Sequence, residues 1–122
     1  GMTLDELGKL LTAHGAKTTV VHASDSSVDA FRTEARANVE GSGDVLLINY
    51  YRKTLEQKGG GHISPVAAYD TESDRFLVLD VSSYKYPPVW VTTALLFKAM
   101  TTVDSSASLS RGWVHVRLPG AS

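Results

Sequence analysis

Residues 59–81 read GGGHISPVAAYDTESDRFLVLDV. Two β-rich runs, His62 to Tyr69 and Arg75 to Val81, flank the polar segment Asp70-Thr71-Glu72-Ser73-Asp74. That pattern predicts a β-hairpin with a polar loop. Upstream, Asp44 to Tyr51 (DVLLINYY) is a continuous apolar run, as expected of a buried central strand. Arg52 to Lys58 is polar and predicts a solvent-facing turn before the glycines.

Moving outward, Thr3 opens the capping-box pattern T-x-x-E with Glu6. Leu4, Leu7 and Leu11 follow at helical spacing, and His14-Gly15 closes an amphipathic helix over 3–14. Lys17 to Ala23 predicts a short strand. Ser24 to Ser27 is a cluster of N-cap residues before a second helix over 28–39, with Val28, Phe31 and Ala35 on one face. Beyond the hairpin, Tyr86-Pro87-Pro88 forces an extended turn. Val89 to Thr102, apolar on nearly every side, predicts a deeply packed third helix. Ser105 to Ser110 reads as a loop. Gly112 to Leu118 alternates as a last strand, with Val114, Val116 and Leu118 on one face. This order gives a single α+β domain over 1–122, with a mostly antiparallel sheet of four to five strands.

The 122 residues carry a net charge of −1 with both signs interspersed, which gives no electrostatic footprint for nucleic acid or an anionic membrane. No apolar run approaches the roughly 20 residues that span a bilayer. With no signal peptide visible, a cytoplasmic location is the default expectation. The absence of cysteine removes disulfides, thiolate metal sites and thiol nucleophiles from this stretch.

Four histidines are candidates for chemistry. His14 sits at a helix C-terminus, where positive charge suits the dipole. His22 ends a strand, and His115 shares the Trp113–Arg117 face of the last one; all three read as structural. No pair has metal-binding spacing, so no metal site is expected. His62 differs because it follows three glycines, which allow sharp bending and close approach of a substrate to the main chain. Asp80 is an acidic residue in an apolar strand, brought by the hairpin beside the strand that His62 begins. A carboxylate buried there needs a partner, and an imidazole N–H is a suitable one. The alternative is that His62 is a structural strand-end histidine and that Asp80 caps a turn near Tyr84 or pairs with Lys85.

The run GGGHISPVAAYDTESDRFLVLDVSSYKYPPVWV, residues 59–91, resembles the catalytic core of the phytochelatin synthase (glutathione γ-glutamylcysteinyltransferase) family. That family shares a G-x-G-H-[FI]-S-P stretch, a polar hairpin, L-D-V and a K-Y-P-P-x-W-V block. DVLLINYYRKTLEQKG and the closing RGWVHVRLP also fit, so the resemblance covers nearly the whole chain. It implies a papain-like fold, of which this stretch is the sheet-bearing C-terminal half without the cysteine-bearing N-terminal half. It implies a reaction in which that cysteine attacks the Cys–Gly bond of glutathione, glycine leaves, and the γ-glutamylcysteinyl group passes to a second glutathione or to water. Heavy-metal thiolates such as cadmium–glutathione are implied as substrates, with no cofactor in this chain.

The resemblance assigns His62 as general base and Asp80 as its orienter. Asp104 and Arg111 would hold the amino and carboxylate groups of the γ-glutamyl moiety; Gly61 would line that site and Lys85 the acceptor site. The bland alternative for Asp104 and Arg111 is an exposed loop ion pair. Plant members have arginine at the position of Ser83, which favours hydrolysis here over peptide elongation. Ser64, two residues past His62 on the same strand, is too constrained to replace the cysteine. Three readings follow: one half of a split enzyme, a non-catalytic module binding glutathione or γ-glutamylcysteine, or a structural remnant. Each predicts exposed apolar surface on strands 44–51 and 62–69, and hence a homodimer or a second chain.

Overall fold

The computed structural model describes residues 2–41, 43–80 and 86–118. Helix α1 (Leu4–Ala13) starts at Thr3, where both halves of the capping box form: Glu6 N donates to Thr3 Oγ1, and Thr3 N donates to Glu6 Oε1. Strand β1 (Lys17–His22) follows. Helix α2 (Val28–Glu40) is N-capped by the Ser27 hydroxyl. Strands β2 (Asp44–Tyr51) and β3 (Gly61–Asp70) follow the sequence reading, and β4 (Arg75–Val78) starts where expected but ends before Asp80.

Every pairing in the main sheet is antiparallel, in the order β1-β8-β2-β3-β4-β5, where β5 is Val89–Thr92 and β8 is Gly112–Arg117. Among the described residues the sheet has six strands in place of the expected four to five. The difference lies in Val89–Thr92, expected to open the third helix but forming an edge strand against β4, with Trp90 opposite Leu77. The β-branched V-W-V-T favours the extended form. The Thr92 hydroxyl then caps helix α3 (Thr93–Met100) through Leu95 N. The expected loop at 105–110 is instead framed by a small hairpin, β6 (Val103–Asp104) with β7 (Leu109–Ser110).

The period-2 alternation of β2 and β8 divides the core into two layers. Leu46, Ile48, Tyr50 and Trp113 face α2 and α3, packing with Phe31, Ala35, Leu96, Ala99 and Met100. Val45, Leu47, Val114 and Val116 face the other way, against Leu4, Leu7 and Leu11 of α1. The Trp113 indole donates to Glu34 Oε2 at 2.9 Å, which satisfies its N–H at the layer's rim. Leu95 remains exposed, so α3 is not packed on every side.

Asp74 closes the hairpin in the left-handed region at φ 52°. Its carboxylate accepts from Arg32 Nε and Nη2 (3.0 and 2.8 Å), Tyr69 Oη (2.6 Å) and Thr93 Oγ1 (2.7 Å). One turn residue thereby ties α2, β3 and the start of α3 together. These contacts, led by Arg32, hold its pKa well below the usual carboxylate range.

Candidate active site

Strand β3 starts at Gly61, so His62 stands near its mouth, opposite Tyr50 of β2. The two rings meet edge to face at 6.0 Å. Asp80 does not lie inside a strand as expected: β4 ends at Val78. The chain nevertheless continues beside β3, with Leu79 N donating to Pro65 O at 3.0 Å. That contact carries Asp80 to His62, whose Nε2 lies 3.2 Å from Asp80 Oδ1. The Asp80 side chain is 2% exposed and that of His62 is 20% exposed, so the carboxylate is buried while the imidazole reaches the surface.

The second carboxylate oxygen is engaged from behind. Arg52 Nη1 lies 2.7 Å from Asp80 Oδ2, and the arginine side chain is only 6% exposed. Arg52 was expected in a solvent-facing turn. It is instead the first residue of a 3-10 turn over Arg52–Leu55 and is buried beneath it. Burial works against its charge, but Asp80, Tyr50 and Tyr86 outweigh that and hold its pKa above the ordinary value. Removing one partner from a carboxylate buried this way costs about 3–5 kcal/mol.

His62 opens onto a cleft of about 430 Å³. Gly61, Asn49, Asp104, Ser105, Ser106 and Arg111 line it with the histidine. Four residues singled out from the sequence (His62, Gly61, Asp104 and Arg111) therefore share one cavity, and Asp80 stands directly behind. Lys85 and Ser83 lie outside the described residues.

Asp104 and Arg111 do not form an exposed loop ion pair. Arg111 is 8% exposed, and its backbone is held on both sides, donating to Thr102 O and accepting from Ala23 N. Its Nη1 donates to Thr102 Oγ1 and Val103 O, each at 3.0 Å, and its guanidinium lies over the Tyr51 ring. The buried Nε meets no hydrogen-bond acceptor among the described residues. A buried donor without an acceptor is costly, and an incoming carboxylate would relieve it. Asp104 accepts from Ser106 N at 3.0 Å, which orders the tip of the small hairpin at the cleft rim.

Two residues of the site escaped the sequence reading. Asn49 is 3% exposed and lines the cleft. Its signal was present as the lone amide in an otherwise apolar strand. Arg52 gave no such signal, because an arginine after a strand is ordinarily solvated. The other histidines are structural, as expected. His14 Nδ1 lies 2.9 Å from Leu10 O at the end of α1. His115 Nε2 contacts Asp44 Oδ2 at 2.7 Å. His22 bridges Ser110 O (2.6 Å) and Asp5 Oδ1 (3.0 Å). Ser64 is fully buried against the Tyr50 hydroxyl. No cluster of metal-ligating side chains occurs among the described residues, and no helix among them is long and apolar enough to cross a membrane.

A carboxylate-backed imidazole beside a cleft with an anchored guanidinium is an arrangement chemically able to act as a general base toward an acidic or zwitterionic ligand. The family description "Phytochelatin synthase" matches residues 1–113. Glutathione gamma-glutamylcysteinyltransferase 3 of Lotus japonicus is 37% identical over 116 residues, covering 95% of this chain and 24% of the relative. Glutathione gamma-glutamylcysteinyltransferase 2 of Arabidopsis thaliana is 34% identical over 119 residues, covering 98% of this chain and 26% of the relative. The glutathione gamma-glutamylcysteinyltransferase of Schizosaccharomyces pombe is 33% identical over 114 residues, covering 93% and 28%. The chain belongs to the phytochelatin synthase family. It spans about a quarter of the length of these relatives.

Proposed function

We propose that this chain carries the histidine–aspartate part of a γ-glutamylcysteinyl-transfer centre, whose nucleophilic cysteine comes from outside these 122 residues. The observation that carries this reading is the His62–Asp80 pair, 3.2 Å apart, opening on a cleft that also holds Asp104 and Arg111. The names of the relatives supply the substrate class, glutathione. In this reading the fold is the sheet-bearing half of a papain-like domain.

Asp80 fixes His62 through Nε2, so Nδ1 would serve the reacting group. His62 would take the thiol proton as the thiolate attacks the Cys–Gly carbonyl. It would return that proton to the glycine amine as the C–N bond breaks. Water would then attack the thioester, giving its proton to His62, and γ-glutamylcysteine would leave as the thiol is restored. A second glutathione in place of water would give the longer peptide; cadmium–glutathione thiolates would enter as substrate. Arg111 would meet the γ-glutamyl carboxylate and Asp104 its ammonium. Without the cysteine the chain would bind and not turn over.

A homodimer or a second chain would complete the cleft. Ile63 and Pro65 are only partly buried and Ala67 is exposed, consistent with a sheet face awaiting cover on β3. The test is calorimetry with γ-glutamylcysteine and glutathione, repeated with Arg111→Gln. Heat with the parent chain and none with the variant is expected; no heat with either ligand removes the reading. Addition of the cysteine-bearing segment of a relative should then release glycine from glutathione, and only when His62 is intact.

A further inference from the structure

We propose that Arg52 is the positioning residue of the His62–Asp80 pair, dividing the Asp80 carboxylate so that His62 is held in place but kept only moderately basic. The inference rests on the reading of His62 as a base. It adds a member that neither the family description nor the relatives' names provide.

The backbone of Arg52 controls the loop that delivers His62. Arg52 N donates to Gly60 O at 2.9 Å, and Gln57 N donates to Arg52 O at 3.0 Å, closing residues 53–60 into a compact turn. Gly59, at φ +116°, passes so close that a Cβ there would lie 3.2 Å from Arg52 Cδ. The side chain is equally fixed. Nη1 reaches Gln57 Oε1 (3.0 Å) and Asp80 Oδ2 (2.7 Å), and the guanidinium lies 5.1 Å from the centre of the Tyr86 ring. One residue thus sets both the chain entering His62 and the carboxylate behind it.

The chemical consequence follows from the charges. A buried carboxylate facing an imidazole alone stabilises the imidazolium strongly and makes a base that is slow to return its proton. Here Oδ1 serves His62 and Oδ2 serves a permanently charged guanidinium. Around His62 stand Tyr50 on β2, Asp80 with Arg52 behind it, and Asp104 and Arg111 at the cleft. Among the described residues two carboxylates face two guanidiniums, and removing Arg52 takes one positive charge away from behind Asp80.

The experiment is an NMR titration of the His62 ring, its signals assigned by their loss in His62→Gln. Arg52→Gln should raise the His62 pKa by about one unit. Arg52→Lys, which keeps the charge, should restore most of the parent value. Asp80→Asn should lower it, and Asp80→Asn/Arg52→Gln should raise it again relative to Asp80→Asn. The double variant removes both buried charges together and keeps the comparison available if Arg52→Gln alone does not fold. A His62 pKa that does not rise in either comparison overturns the proposal, as does an Arg52→Lys chain that behaves like Arg52→Gln. A pKa rise without γ-glutamylcysteine binding removes the functional reading but leaves the Arg52 coupling. Binding with an unmoved pKa does the reverse.

Discussion

Gly61 and Arg111 fit against each other across the cleft: a Cβ at Gly61 would lie 2.9 Å from both Nε and Nη2 of the guanidinium. Glycine there leaves room for the guanidinium, which lines the cleft with His62. Gly61→Ala should displace the guanidinium while leaving the sheet intact. The expected result is a tenfold or greater weakening of γ-glutamylcysteine binding, about 1.4 kcal/mol, with an unchanged far-ultraviolet circular dichroism spectrum. Unaltered affinity in the alanine variant would show that this edge is not used.

Arg111→Lys tests the same recognition by chemistry in place of sterics. Lysine keeps the charge but loses the planar fork. Binding of γ-glutamylcysteine should fall by roughly tenfold or more. Calorimetry giving equal affinities for the two chains would contradict a forked carboxylate contact.

Asp74 should matter to stability without touching the site. Asp74→Ala removes the acceptor of Arg32, Tyr69 and Thr93 at a left-handed position and should cost about 2–4 kcal/mol. Its pKa is lowered in the folded state, so its contribution is present above the unfolded value of 3.8 and is lost as pH falls through the folded one. Urea unfolding below pH 4 should therefore bring the parent and Asp74→Asn chains together. A gap that persists undiminished at pH 2 would contradict the carboxylate as its source.

His22 gives the opposite pH dependence. Burial disfavours its charge, but the Ser110 carbonyl and the Asp5 carboxylate outweigh that, and its pKa is raised from 6.5. The stabilisation is fully present below the unfolded value and is lost as pH rises through the folded value. The Tm advantage of the parent over His22→Gln should be greater at pH 5.5 than at pH 8.5. Equal gaps at both pH values would mean that protonation of His22 plays no part in joining α1 to the end of β7.

Local patterns carried much of the architecture. Thr3 and Glu6 announced the start of α1, Ser27 that of α2, and the polar pentad 70–74 the hairpin, because each is a short-range hydrogen-bonding or turn preference. Val89–Thr92 was misread as helix because its apolar residues suit either period. Its β-branched residues and the open edge of β4 together make it a strand. In the site, the spacing of His62 and Asp80 pointed to a meeting that occurs. The supposed strand holding Asp80 proved to be an extension just past β4.

The sequence by itself determined the alternation that makes a two-faced sheet, the caps that start its helices, and the family to which the chain is akin. The tertiary structure alone decided that Arg52 turns inward to the second oxygen of Asp80 and that Arg111 is buried with its Nε unsatisfied at the cleft. The physical reason is range. Caps, turns and periodicity are settled by residues a few positions apart, whereas the burial of a charge depends on partners supplied by distant strands.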